Sequence, residues 1–231
     1  MESISMKAIA TMHSAFPSKF GIPRQSGLVS QLQSLVVFEP PYRNPDALRG
    51  MEGFSHLWLI WAFSQSIRAD WSPTVRPPRL GGNTRMGVFA TRSPFRPTPS
   101  GLSSVHLEAI EEHPEFGTVL RVSGADLLDG TPILDIKPYL PYTDAHPEAA
   151  SGFTAGYQGY HLDVVFPPIL LERIPLNLRD ALIGVLAQDP RPSYQDDPSR
   201  VYGMAFAEWN IRFTVKENTL TVVAAEPLSN S

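Results

Sequence analysis

The chain contains no cysteine, which removes disulfides, thiolate nucleophiles and every zinc or iron–sulfur site built on sulfur. Charge is sparse as well. Asp, Glu, Lys and Arg make up 18% of the 231 residues and the net charge is −4, so the chain as a whole carries no basic footprint for a polyanion. Lysine is scarce, with four residues against fifteen arginines, and the planar fork of Arg suits carboxylate or phosphate better than a point charge does. No stretch approaches the roughly 18 consecutive apolar residues of a membrane span. The opening MESISMKAIATMHSAF lacks a basic start followed by an apolar run, so the expectation is a soluble, cytoplasmic protein without membrane contact. HExxH and HxH spacings are missing, and no metal is expected. No GxGxxG follows a strand, no GxxxxGK[ST] is present and no GxSxG elbow occurs, which leaves Rossmann-type dinucleotide binding, P-loop chemistry and a serine-hydrolase site unsupported.

Proline, by contrast, is abundant: 23 of 231 residues, about twice ordinary usage. Interior prolines cost helices a hydrogen bond and a clash, whereas short strands joined by turns accept them at edges and corners. Strand-like runs follow one another over Met6 to Met12, LQSLVVF ending at Phe38, Phe54 to Phe63, Met86 to Thr91, Val105 to Ile110, Thr118 to Val122 and Ile133 to Tyr139. FSHLWLIWAF reads as a strand buried on both faces. Segment 144–168 is small and polar and reads as a linker or mobile loop. From Leu170 to Ala187 apolar residues recur at three and four, a helix with a start broken by Pro175, and two strands follow over Tyr202 to Val215 and Thr219 to Ala224. The expected fold is mainly β: a closed or sandwiched domain over 1–165 and a small α+β unit over 166–231.

The mild net charge conceals an asymmetry. Residues 67–107 hold six arginines against Asp70 alone, while 108–163 hold ten carboxylates against Arg121 and Lys137. The basic part peaks in RPPRLGGNTRMGVFATRSPFRPTPSG (76–101), where Pro and Gly impose irregular backbone whose amides can meet a ligand. A second constellation is Asp126-Leu127-Leu128-Asp129-Gly130-Thr131-Pro132, either a solvated hairpin turn or a turn whose backbone and Thr131 hydroxyl hold a polar ligand. A third is FGIPRQSG (20–27), where Arg24 and Gln25 follow a proline between two glycines, either an ordinary connector or a presented pair. His56, inside an apolar strand, reads first as a hydrogen-bonded core residue.

At these same segments the sequence resembles the TsaA-like family, also called TrmO, of S-adenosylmethionine-dependent tRNA methyltransferases. The resemblance rests on FGIPRQSGLV (20–29), RGMEGFSHLWLIWAF (49–63), WSPTVRPPRLGGNTRMGVFATRSPFRPTPSGLS (71–103), DLLDGTPILDIKPYLPY (126–142) and LAQDPRP (186–192), in family order along nearly the whole chain. It implies a β-barrel methyltransferase with a small C-terminal domain, a homodimer that methylates N6 of N6-threonylcarbamoyladenosine at position 37, next to the tRNA anticodon. The implied cofactor pocket takes Pro23, Arg24, Gln25, Phe63, Ser64, Arg92, Leu102, Asp129, Gly130, Thr131 and Pro132, with Ser64 standing where the family pattern has His. Asp126, Asp129, Asp135, His56 and Tyr142 are the candidates for a proton-accepting group. Arg76, Arg79, Arg85 and Arg96, joined by Arg191 and Arg200, are suited to the anions of the RNA. The alternative reading is a module that binds S-adenosylmethionine or RNA without catalysis, or a methyltransferase for another small acceptor.

Overall fold

The computed structural model describes residues 4–77, 80, 83–157, 159–192 and 197–228. Six strands build the first sheet: β1 (Ala10–His13), β2 (Gln33–Phe38), β3 (His56–Ala62), β6 (Ser100–His113), β7 (Gly117–Ser123) and β8 (Pro132–Pro138). Each pairs antiparallel with its neighbours in the order β1-β2-β7-β6-β3-β8, and β1 also pairs with β8 through Ala10↔Ile133, so the sheet closes on itself. A two-stranded ribbon, β4 (Thr74–Val75) and β5 (Met86–Gly87), stands apart from it. After the short helix α1 (Pro141–Asp144), strand β9 (Asp163–Val165) and helices α2 (Pro168–Leu171) and α3 (Leu176–Ala187) lead to β10 (Tyr202–Phe206), β11 (Trp209–Lys216) and β12 (Thr219–Pro227). These last strands form a sheet in the order β10-β11-β12-β9, with β9 parallel to β12.

Two cores result. Strand alternation sends Met12, Val36, Leu57, Leu59, Val105, Leu120, Val122 and Ile133 into the closed sheet, all at most 1% exposed. The second core lies between α3 and the C-terminal sheet, and it draws Phe16, Val29 and Leu32 from the N-terminal part of the chain. Phe16 is fully buried and meets Phe206 edge-on, ring centroids 5.8 Å apart. Truncating it removes an aromatic shared by two parts of the chain: Phe16→Ala should cost about 3–5 kcal/mol of unfolding free energy, read as a fall in the denaturant midpoint with an unchanged slope.

Several expectations are corrected by these strands. β3 is not buried on both faces: Leu57, Leu59 and Trp61 are buried while His56 is exposed and Trp58 and Ile60 are half-covered. Its outer face is roofed by aromatic and helical neighbours, since the Trp58 indole Nε1 donates to Asp144 Oδ2 of α1 at 2.8 Å and stacks obliquely on Tyr139. Of Met86 to Thr91 only Met86–Gly87 is strand, and Val88–Ala90 turns as a short 3-10 helix. Within 144–168 there is a 3-10 turn over Gly152–Tyr157 and the strand β9, a three-residue piece too short to show a period. The run from Tyr202 is two strands, because Ala207 turns the chain at φ 49°. Pro175 does break the helix, and it caps α3.

Candidate functional site

One rim of the closed sheet opens into a cavity of about 620 Å³, within the range of cofactor sites. Its walls are the end of β3 (Ile60, Trp61, Ala62), the 3-10 turn that follows (Ser64–Ser66), the start of β6 (Ser100, Gly101, Leu102) and the stretch before β8 (Asp126, Leu128, Thr131). Residues 22–25 and the arginines Arg92 and Arg96 complete the lining. Phe63 packs edge-on against Trp61 with ring centroids 4.3 Å apart, making one wall aromatic.

At the base of this cavity a relay of hydrogen bonds fixes one carboxylate. The Trp61 indole Nε1 donates to Ser103 Oγ at 3.0 Å, and Ser103 Oγ donates to Asp126 Oδ1 at 2.5 Å. Ser103 is only 1% exposed, so its hydroxyl has no competing water. Burial of Asp126 pushes its carboxyl above the usual carboxylate range; the Ser103 hydroxyl and the nearby Arg92 charge pull the other way without cancelling it. Among the described lining residues Asp126 is the only carboxylate. The indole reaches its place because β6 has no side chain opposite it: a Cβ on Gly101 would lie 2.2 Å from the Trp61 ring.

Above the cavity lies a wide open groove of about 2150 Å³. It shares Lys19, Ile22, Arg24, Gln25, Arg92 and Arg96 with the cavity mouth. Lys19, Arg24, Arg68, Arg76, Arg85, Arg92, Arg96 and Arg191 line it against the single acid Asp70, among the described residues. The sequence asymmetry in 67–107 is thus a spatial one. Arg92 Nη1 donates to Gln25 Oε1, and Gln25 Nε2 in turn donates to the carbonyl of Arg24. Arg24 Nη2 donates to the carbonyl of Arg191 at 3.2 Å, which links this loop to the turn after α3. Gly21, at φ 98°, permits the approach: a Cβ there would meet Met204 Sδ at 2.2 Å.

Two family models match the chain: the tRNA-methyltransferase O N-terminal domain over residues 11–145 and the TrmO C-terminal domain over 169–228. The chain belongs to the TrmO family. Its relatives include a tRNA (adenine(37)-N6)-methyltransferase of Escherichia coli (strain K12), 40% identical over 235 residues, covering 98% of this chain and 100% of the relative. A tRNA (adenine(37)-N6)-methyltransferase of Eikenella corrodens is 49% identical over 181 residues, covering 74% of this chain and 96% of the relative. The crystal structure of TrmO from Pseudomonas aeruginosa superposes with a TM-score of 0.80 at 33% identity, covering 99% of each chain.

Within this chain the structure brings together Pro23, Arg24, Gln25, Phe63, Ser64, Arg92, Leu102, Thr131 and Asp126 at the cavity. Three of the residues expected there lie outside the lining. Asp129 is exposed and accepts the backbone N–H of Ser14 at 3.0 Å, Gly130 turns at φ 76°, and Pro132 begins β8 opposite Thr11. These three make the turn that presents Leu128 and Thr131, whose hydroxyl donates to the Leu128 carbonyl at 2.7 Å. Ser64 lines the cavity from the turn after β3.

The remaining proton-accepting candidates point elsewhere. A register shift opposite Ile60/Trp61 lets Ile133 and Ile136 both join the interior cluster and leaves Asp135 paired outside with Lys137 at 2.8 Å. His56 is exposed rather than a core residue, edge-on to His106 at 5.0 Å. Partial burial among these rings and the neighbouring His106 hold its imidazole below the usual value. Tyr142 is 86% exposed on α1.

Of the arginines assigned to RNA, Arg76, Arg85 and Arg96 line the groove, and Arg79 lies outside the described residues. Arg191 also reaches the groove, but its fork is engaged bidentately by Asp189 at 2.8 and 2.9 Å, and it is 9% exposed. Burial would raise the Asp189 carboxyl, yet the Arg191 guanidinium and the Tyr160 hydroxyl outweigh it and hold that carboxyl low. This is a pair that fixes the turn beneath Arg24. Arg200 is absent from the groove lining and stands over the Tyr202 ring at 5.3 Å. Sequence reading missed Ile60, Trp61, Gly101, Leu128, Ser103 and Lys19. Only Gly101 carried a visible signal, a glycine at the head of an apolar strand.

Proposed function

We propose that this chain is an S-adenosylmethionine-dependent tRNA methyltransferase that methylates N6 of N6-threonylcarbamoyladenosine at position 37. The observation that carries the reading is the shared mouth: a nucleoside-sized cavity holding one half-buried carboxylate opens into a groove of arginines through Arg24, Gln25, Arg92 and Arg96. The relatives' activity points the same way. The alternative of a binding module without catalysis is not favoured, because a relative that spans nearly the whole chain is named as a tRNA (adenine(37)-N6)-methyltransferase.

The cavity suits S-adenosylmethionine. Ile60, Phe63, Leu102 and Leu128 offer apolar walls for a purine, while Arg92 and Gln25 at the mouth offer polar groups for its amino-acid end. When bound, the cofactor supplies a sulfonium methyl already activated for transfer. The residues then have two tasks, alignment and proton removal. The N6 lone pair of the acceptor is delocalised into the ring and the carbamoyl group, and its proton must leave as the new C–N bond forms and the C–S bond breaks. Asp126, anchored by Ser103, is the group assigned to accept that proton. Residues 22–25 line the mouth, where bound substrate would complete the enclosure of the reacting atoms. Arg76, Arg85 and Arg96 face the substrate carboxylate and backbone phosphates.

We read the architecture as a β-barrel donor-binding domain over 1–165 and an α+β domain over 166–231 whose sheet also takes in β9 (Asp163–Val165) from before that boundary, active as a cytoplasmic homodimer. The closed pairing of the first sheet supports the barrel. No described helix is long and apolar enough to cross a membrane, and no group of three or more His, Asp or Glu suited to a metal is found among the described residues.

Purified protein, labelled methyl donor and tRNA with or without the threonylcarbamoyl group make the test. Label should enter only the threonylcarbamoylated RNA; equal labelling of both, or of neither, would overturn the reading. Arg92→Ala should weaken donor binding by about tenfold, the loss of one charge-assisted contact, measured by calorimetry. Unchanged affinity would remove Arg92 from the pocket.

A further inference from the structure

The groove contains a feature that its arginines do not explain. Trp71 and Phe89 are 53% and 71% exposed, and their rings lie side by side with centroids 6.2 Å apart and planes 34° from parallel. Both line the groove. They are held there by the ribbon: Trp71 precedes β4, Phe89 follows β5, and Val88 N–H donates to the Pro73 carbonyl at 2.9 Å. Val88 is 1% exposed and pins the 3-10 turn, so burial of one residue fixes the exposure of the next. Nearby, the Arg68 guanidinium caps the Phe95 ring at 3.6 Å from its centroid.

We propose that Trp71 and Phe89 form a stacking platform for unpaired bases of the anticodon loop beside the modified adenosine. The proposal rests on the reading of the groove as an RNA surface. Charge selects this occupant over a protein, since the pair stands among Arg68, Arg76 and Arg85 with Asp70 as the one acid of the described lining. Aromatic faces flanked by arginines suit bases and phosphates together. The chemistry needs such a grip, because the acceptor base must leave its stack to enter a cavity beneath the groove.

The test uses the full chain and an anticodon stem-loop RNA carrying threonylcarbamoyladenosine. Trp71→Ala and Phe89→Ala should each raise the KM for RNA by at least about tenfold, with kcat at saturating RNA and donor affinity changed less than twofold, and with Trp71→Phe restoring most of the loss. Both side chains are exposed, so the variants should melt with the parent. RNA affinity and KM unchanged in both alanine variants would overturn the platform. So would a change of sedimentation with RNA affinity intact, which would give the pair to a second copy of the chain. Should the parent bind RNA but transfer no methyl, the catalytic reading falls, and Trp71-dependent RNA affinity would still uphold the platform.

Discussion

Asp126→Asn is expected to lower kcat for methyl transfer by roughly 10²- to 10⁴-fold, the usual worth of a positioned general base. Donor affinity should change little, because the amide is isosteric and its oxygen can still accept the Ser103 hydroxyl. The fold should not suffer either. Burial raises the folded-state pKa of Asp126 above its unfolded value, so the ionised carboxylate destabilises the native state at neutral pH; the penalty shrinks as pH falls below the raised value and is gone below the unfolded one. Asn carries no such penalty, and the variant should melt at or above the parent temperature at pH 7. The same shift predicts that kcat of the parent falls on the acid side at a pH above the ordinary carboxylate range. Ser103→Ala, which removes the hydrogen bond that favours the anion, should move that limb to still higher pH. A pH–rate profile of Asp126→Asn that keeps the parent's acid limb would assign the limb to another group.

Gly101→Ala is expected to abolish most activity by a different route. The added Cβ would sit 2.2 Å from Trp61 Cε2 and 2.3 Å from Cζ2, inside the ring rather than against a flexible tip, so the indole must move. Overpacking of this kind costs about 1–3 kcal/mol of stability. The larger effect is on geometry. Trp61 walls the cavity, supports Phe63 and donates to the hydroxyl that holds Asp126. A displacement of about 1 Å there should cost on the order of a hundredfold in kcat/KM, together with weakened donor binding by calorimetry. A Gly101→Ala protein with parental kcat/KM would show that the indole is not part of the working wall.

How much of this was legible in the residues depends on the length scale of the contact that matters. The apolar runs of LQSLVVF and of Thr118 to Val122 announced β2 and β7, where the adjacent Val36 and Val37, and Val119 and Leu120, are all buried. β3 defeated the same reasoning: Trp58 and Ile60 look like core residues but face α1 and the cavity, partners from distant sequence. Among the proton-accepting candidates, Asp126 and Asp135 were equivalent as letters. A register shift in β8, invisible in composition, turned one outward to Lys137, while Ala125 and Leu127, both 1% exposed, anchor the stretch that points the other inward. The arginine-rich loop was legible as a unit, yet which arginines are neutralised by a carboxylate was not. Arg191 reads like Arg96 until Asp189 takes its fork.

The pairing of β1 with β8 leaves the first sheet without a free edge. Its backbone amides therefore have no rim from which to fray, and those of β6 and β7 should exchange with solvent only when the whole sheet opens. The C-terminal sheet is different: β10 and β9 are its outer strands among the described residues. Apart from the two-residue strands of the β4–β5 ribbon, association of this chain through added strands would enter there, at the sheet whose core also holds Phe16. Partial unfolding of the C-terminal sheet would expose both a pairing edge and the aromatic surface that Phe16 covers, so aggregation on heating should begin at that sheet while the closed one is still intact.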